Sequence, residues 1–236
     1  MLKVNEIFGR TVQGEGKSIG IDVMFLRLAF CNLHCQWCDT PHTWNWVGTD
    51  FGHPNKFKKE NEVHEMNYSE VIAKLLKSNF VKALVISGGE PLLQGKNLVT
   101  LLEVLKTYGW WIEIETNGCV MPSEKIFNLT DQFNCSPKLS NSGNPENARL
   151  KPKVLTALAQ NPKSTFKFVV SCEDDISEIK EMIERFHMEQ VYLMPLGMNP
   201  EQLNQTREMT KRLCDIYNLN FSDRLHVVKY GGRRGV

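Results

Sequence analysis

Cys31-Asn32-Leu33-His34-Cys35-Gln36-Trp37-Cys38 decides how this chain is read. Its thiols have the spacing C-x3-C-x2-C. It follows the apolar run Asp22–Phe30, which reads as a strand, so the cysteines lie in a loop at that strand's C-terminal end. In parallel sheets and barrels, ligands bind at those ends. Three closely spaced thiolates suit an iron–sulfur cluster or a zinc ion. Zinc requires a fourth ligand, and His34, His42 or Cys119 would have to supply it without the usual paired spacing. A cubane on three thiolates leaves one iron open to another ligand.

Further strand-like runs follow at Lys82–Ser87, Trp111–Thr116, Gln132–Ser136, Thr165–Ser171 and Gln190–Pro195. Helical patterns lie between them at 68–79, 96–108, 151–160, 174–187 and 200–217, with Ser69-Glu70 and Asp174-Asp175 as helix starts. Strand alternating with helix implies an α/β fold with a parallel sheet and right-handed crossovers. About six strands are too few for a closed eight-stranded barrel. The expectation is a partial, open parallel β/α barrel, organised as a single domain over 1–236.

Strands buried on both faces of a parallel sheet should be almost wholly apolar. Three break that rule. Arg27 is the one charge in Met24–Ala29, Glu113 and Glu115 share one face of Trp111–Glu115, and Lys167 stands alone in Phe166–Val170. Charges pointing into a lumen that holds a polar ligand would explain all three; exposed sheet edges are the alternative.

Composition sets the outer bounds. The formal net charge of +1 argues against a general nucleic-acid binder. No apolar run is long enough to span a membrane. Met1–Glu6 carries no apolar signal segment, so a soluble cytoplasmic protein is expected. Seven cysteines, an odd number, argue against a disulfide framework. Cys119, Cys135, Cys172 and Cys214 read as small buried hydrophobes. The polar stretch 42–66, with Trp44 and Trp46, reads as a surface excursion, and 139–149 as a loop.

The cysteine spacing, with an aromatic residue (Trp37) before the third cysteine, resembles the signature of radical S-adenosylmethionine enzymes. Ser87-Gly88-Gly89-Glu90-Pro91 at the next strand end resembles the glycine-rich motif of that superfamily. Narrower features resemble the 7-carboxy-7-deazaguanine synthases over nearly the whole chain. They are Glu6-Ile7-Phe8, Val12-Gln13-Gly14-Glu15-Gly16, Arg27, Cys38-Asp39-Thr40, Thr43-Trp44, Ser136-Pro137-Lys138 and Arg234-Gly235-Val236.

That resemblance implies a [4Fe-4S] cluster, S-adenosylmethionine and Mg2+ as cofactors. It also implies conversion of 6-carboxy-5,6,7,8-tetrahydropterin to 7-carboxy-7-deazaguanine and ammonia, by hydrogen abstraction at C6 and radical ring contraction. A homodimer reduced by flavodoxin or ferredoxin is implied, with no nucleic-acid or membrane partner.

The resemblance assigns Cys31, Cys35 and Cys38 to the cluster and the Thr40 hydroxyl to magnesium, a hard ligand for a hard cation. Arg27 would pair with the substrate carboxylate. Val12, Gln13, Gly14, Glu15, Ser87 and the Val236 carboxylate would also hold substrate. Trp37, Cys38, Asp39, Gly89, Glu90, Ser136, Pro137 and Lys138 would hold S-adenosylmethionine. Plainer roles stand beside these: a helix cap for Thr40, a buried ion pair for Arg27, solvent for His34, Arg233 and Arg234, and the core for Trp110 and Trp111. An activase of glycyl-radical enzymes or a zinc-stabilised binding module are the other functions open.

Overall fold

A computed structural model of the chain describes residues 1–77 and 81–235. The first half runs β1 (Leu2–Val12), β2 (Asp22–Leu28), α1 (Lys59–Glu62), β3 (His64–Met66), α2 (Tyr68–Lys77), β4 (Ala83–Gly88), α3 (Gly95–Thr107) and β5 (Trp111–Thr116). Then come α4 (Glu124–Leu129), β6 (Gln132–Cys135), α5 (Glu146–Arg149), α6 (Pro152–Ala159), β7 (Ser164–Val170), α7 (Asp175–Phe186), β8 (Val191–Pro195), α8 (Pro200–Tyr217), β9 (Asn220–Phe221) and α9 (Leu225–Tyr230).

All these strands form one sheet in the order β3-β1-β2-β4-β5-β6-β7-β8-β9. From β2 to β9 every neighbour is parallel, whereas β1 is antiparallel to both β2 and β3. The ends do not pair with each other among the described residues, so the sheet is an open, partial barrel.

The six parallel strands expected from the apolar runs are β2 and β4 through β8, nearly at the expected bounds. The sheet adds three that the pattern does not disclose. β1 is interrupted by Lys3, Glu6 and Arg10, because only one of its faces meets the core, through Leu2 and Val4. β3 and β9 span three and two residues, too short to show a period.

The outer face of the sheet is apolar. Ile86, Ile112, Ile114, Phe133, Phe166 and Phe168 are fully or almost fully buried, and α3 packs Leu98, Leu101, Leu102 and Leu105 into the same core. Each such side chain contributes about 1.5–3 kcal/mol. Strand alternation then sends the intervening residues to the concave face. Ile112 and Ile114 join the core, while Glu113 and Glu115 face inward.

Helix α2 starts earlier than Ser69. Asn67 Oδ1 accepts from Glu70 N at 3.0 Å, and Glu70 Oε2 accepts from Asn67 N at 2.7 Å, a reciprocal cap. Residues 78–79 of the expected helix lie outside the described residues. At α7 the Asp174 side chain makes no capping bond. Asp175 turns back instead and accepts from Ser171 N at 2.7 Å. Cys172 is exposed and Cys119 half-buried, contrary to the expectation for scattered cysteines, while Cys135 and Cys214 are buried.

The stretch 42–66 leaves the sheet but is not a loose surface excursion. His42, Thr43, Trp44, Asn45, Trp46 and His53 are buried. Asn45 Nδ2 ties the loop together by donating to His53 O at 2.9 Å and Asn55 O at 2.7 Å. Of the rest, Val47, Gly48, Asp50, Gly52, Pro54, Asn55 and most of the charged run 56–65 are in solvent.

Candidate active site

A cavity of about 520 Å³ opens at the C-terminal ends of the parallel strands. Its wall includes Cys31, Cys35, Cys38, Trp37, Ser136 and Lys138, and also the charged residues Arg27, Glu15, Glu115, Lys167 and Arg224. The aromatic loop 42–57 contributes His42, Trp44, Asn55 and Phe57 to the wall.

The cysteine loop is held in place from several sides. Gln36 N and Trp37 Nε1 donate to Ser142 O and Asn141 O at 3.0 and 2.9 Å, and His34 N donates to Asn144 Oδ1 at 2.9 Å. The 139–149 segment is therefore a buttress with two short helical turns, not a passive loop. His34 is half-buried rather than free in solvent, with its ring stacked 3.6 Å from that of Phe51.

The thiols are free, and the three do not come within 4.8 Å of one another as a set among the described residues. A tetrahedral zinc with 2.3 Å bonds would require sulfurs about 3.8 Å apart. Burial pushes the Cys31 thiol up, and the Cys38 thiol up to about 11. Thiolates there need a cationic ligand to offset the lost solvation.

Gly88 and Gly89 are required by the close approach of two backbones. A Cβ on Gly89 would lie 2.1 Å from Phe30 O and 2.9 Å from the Cys31 Cβ. At Gly88, where φ is +136°, it would lie 2.1 Å from Leu28 O. These glycines line the cavity beside the first thiol.

Glu90 does not. It is fully buried behind them, next to Gly89 on the wall. Its carboxyl accepts from Leu92 N at 3.0 Å, Asn117 N at 2.7 Å and Thr116 Oγ1 at 3.0 Å, tying the turn after β4 to the end of β5. Burial pushes it up to about 7. Pro137 is also buried and off the wall, between Ser136 and Lys138, which are on it. Lys138 Nζ donates to Ser136 Oγ at 2.9 Å and lies 5.8 Å from the Trp37 ring centre. Val236 lies outside the described residues.

The floor is a charge network. Lys167 Nζ lies 2.5 Å from Glu15 Oε2 and 3.0 Å from Glu115 Oε2. Arg224 Nε donates to Glu15 Oε1 at 3.0 Å, and its Nη2 donates to Asp39. Burial alone would raise the Glu15 carboxyl, but Lys167, Arg224 and His226 outweigh it and hold it well below 4.5. Burial would lower Lys167; Glu115 and Glu15 reverse that and raise it. The lumen reading of the in-strand charges is therefore correct for Arg27, Glu115 and Lys167. Glu113 lies deeper, bonded to Gln13 and Ser18, and burial pushes it up to about 8.

Glu15, Asp39 and His226 bring ligand atoms within 4.8 Å of one another. The Arg224 guanidinium already supplies the cation between the two carboxylates.

Arg27 Nε donates to Glu6 Oε1 at 2.7 Å, so the buried ion pair exists, yet Arg27 also lines the cavity. Its two terminal nitrogens have no hydrogen-bond partner among the described residues, and the guanidinium lies 5.6 Å from the Phe8 ring centre. Thr40 lies before the turn Pro41–Thr43, but its side chain makes no capping bond, and its hydroxyl is 3.7 Å from Cys38 Sγ. Ser87, Val12 and Gly14 line the cavity. Gln13 is committed: its backbone pairs with Ile21 and Gly20, and its Nε2 reaches Glu113 and Glu115. Arg234 pairs with Glu62 at 2.8 Å rather than lying free. Trp110 is core, as expected.

Sequence reasoning missed Arg224, Asn144 and Asn117, because nothing local marks them. Lys167 was legible as a lone charge in a strand. His42 was considered only as a zinc ligand; it is buried, and its Nε2 has no partner among the described residues. Burial, with Arg234 and Arg27 nearby, pushes it down to about 3, so it is neutral.

The chain is similar to known proteins along its whole length. Residues 12–116 match the family described as "4Fe-4S single cluster domain". A 7-carboxy-7-deazaguanine synthase from Pyrobaculum aerophilum is 33% identical over 99% of this chain and 97% of its own. One from Rhodopirellula baltica is 32% identical over 94% and 84%, and one from Bacillus subtilis 28% over 100% and 98%. The crystal structure of QueE from Escherichia coli superposes with a TM-score of 0.74 at 24% identity, covering 95% of this chain and 94% of that one. Streptococcus suis SuiB bound to S-adenosylmethionine superposes with a TM-score of 0.52 at 15% identity, over 82% of this chain and 48% of that one. These two structures bear on the fold alone.

Proposed function

The chain belongs to the family of 7-carboxy-7-deazaguanine synthases, and from that premise we propose how its cavity works on the substrate. It is a radical S-adenosylmethionine lyase that converts 6-carboxy-5,6,7,8-tetrahydropterin to 7-carboxy-7-deazaguanine and ammonia. It does so in 7-deazapurine biosynthesis, and whole-length identity to these enzymes favours neither the activase nor the zinc module.

The donor set fits the cluster. Three free thiols share one cavity wall, too far apart as a set for mononuclear zinc, beside a glycine pair that leaves the wall open. When bound, the cluster and S-adenosylmethionine supply one-electron chemistry that removes a hydrogen atom from the substrate.

The residues of this chain bind, orient and exclude water. Glu6 holds Arg27 by Nε, so the free edge of the guanidinium is presented for the substrate carboxylate. Glu15, Glu115, Gln13 and the lining backbone at Val12 and Gly14 form the polar floor for the pterin edge, with Ser87 on the wall. Gln13 would have to exchange at least one carboxylate partner for substrate. Trp37, Cys38, Asp39, Gly89, Glu90, Ser136, Pro137 and Lys138 serve S-adenosylmethionine, and Cys31, Cys35 and Cys38 the cluster. The Thr40 hydroxyl, free of capping duty, would ligate Mg2+ with substrate oxygens and water completing the shell. Pro41, Trp44 and Phe57 keep water from the reacting end.

The same reading takes the chain as one domain that forms a homodimer and receives its electron from flavodoxin or ferredoxin in the cytoplasm. No helix among the described residues is long and apolar enough to cross a membrane.

The observation that carries this reading is one cavity whose wall includes the three thiols together with Arg27, whose guanidinium is held by Glu6 through Nε alone. The test uses anaerobically reconstituted protein with reductant, S-adenosylmethionine, Mg2+ and the carboxytetrahydropterin, with products followed by mass spectrometry. 7-Carboxy-7-deazaguanine is expected with little net loss of S-adenosylmethionine. Accumulation of 5′-deoxyadenosine without any deazaguanine would overturn the substrate assignment.

A further inference from the structure

Each cysteine sulfur receives a hydrogen bond from a side-chain N–H supplied by another part of the chain. Trp44 Nε1 donates to Cys38 Sγ at 3.3 Å, Asn144 Nδ2 to Cys35 Sγ at 3.3 Å, and Asn117 Nδ2 to Cys31 Sγ at 3.9 Å. The donors sit on three separate loops: the aromatic loop, the loop after β6 and the loop after β5.

The first two are held rigidly. Trp44 is buried, and its ring packs edge-on against Phe51 and His53, with centres 5.6 and 6.0 Å away. Asn144 is oriented through its other end, where Oδ1 accepts from His34 N at 2.9 Å. Asn117 is the weak member, because its Nδ2 stands 3.9 Å from the sulfur, whereas Asn144 Nδ2, which also donates to Ser142 Oγ at 3.2 Å, reaches its sulfur at 3.3 Å.

We propose that Trp44 and Asn144 are positioning residues that raise the reduction potential of the cluster held by Cys31, Cys35 and Cys38. Reduction adds one negative charge to the cluster, part of it on the ligand sulfurs. An N–H directed at such a sulfur stabilises the reduced form more than the oxidised one, so the donor moves the potential upward. The aromatic loop thereby roofs the cavity and also makes the cluster easier to reduce. The inference rests on the cluster assignment above.

The test is an anaerobic redox titration of the reconstituted holoenzyme, followed by electron paramagnetic resonance. Trp44→Phe keeps an aromatic ring in the loop and removes the N–H; Asn144→Ala removes the second donor. Each should shift the midpoint to a more negative potential, and the double variant by the sum, since the donors serve different sulfurs. Gln36→Leu is the control. It loses the neighbouring 2.8 Å bond from Nε2 to Asn141 O without touching a sulfur, and its midpoint should not move. Unchanged midpoints in both donor variants, or an equal shift in Gln36→Leu, would overturn the proposal. So would loss of iron from both donor variants while Gln36→Leu stays loaded, because the two residues would then be anchoring the loop. Absence of a cluster signal from the unsubstituted protein would overturn the cluster assignment itself.

Discussion

Lys167 Nζ lies 3.0 Å from Glu115 Oε2, from β7 across β6 to β5, with the lysine side chain almost wholly buried. Lys167 is also the partner of Glu15, so one ammonium neutralises two carboxylates brought together from far apart in the chain. Lys167→Met would leave both without it. The expected loss is about 3–5 kcal/mol, read as a lower denaturant midpoint. Lys211→Ala, which breaks an exposed pair with Glu208, should cost no more than about 0.5 kcal/mol. Equal effects would show that the floor network is solvated.

Arg27 is held by one nitrogen and offers the rest. Arg27→Ala should leave iron content and S-adenosylmethionine binding intact while weakening binding of the carboxylated substrate. Two lost charge-assisted bonds correspond to about 3 kcal/mol, or about 100-fold in Kd by calorimetry. Unchanged substrate affinity would confine Arg27 to its pair with Glu6.

Glu113 makes stability depend on pH. Its carboxyl is near 4.5 in the unfolded chain and pushed up to about 8 in the folded one. Between those values the native state holds the extra proton, so stability falls as pH rises from about 4.5 to about 8 and then levels. Glu113→Gln mimics the protonated form. It should flatten that part of the Tm profile and raise Tm at pH 8. A profile of unchanged slope would mean that Glu113 is ionised in the fold.

Gly89→Ala places a methyl against Phe30 O and the Cys31 Cβ. Neither atom can yield without moving Cys31. A cost of about 1–3 kcal/mol is expected, with reduced iron per chain by metal analysis. Full iron content and an unchanged Tm would show that the turn has room.

Thr40→Ala removes a hydroxyl that caps nothing. The Mg2+ concentration for half-maximal rate should rise about tenfold. An unaltered Mg2+ dependence would remove Thr40 from the metal site.

The sequence by itself determined the parallel core and the place of the chemistry. Apolar runs such as Lys82–Ser87 and the charges at Arg27, Glu115 and Lys167 are local signals, because strand alternation sends every second residue to the same face. The spacing of Cys31, Cys35 and Cys38 likewise needs only one loop. Only the tertiary structure decided what these groups touch. Arg224 stands between Glu15 and Asp39, and Asn144 beside Cys35, because loops far apart in sequence converge at one end of the sheet. The partners of Glu90 come from tertiary structure for the same reason: its buried carboxyl accepts from Leu92 N in its own turn and from Asn117 N and Thr116 Oγ1 at the next strand end. Short edge strands and the buried aromatic loop are set by packing against neighbours, which leaves no period along the chain to read.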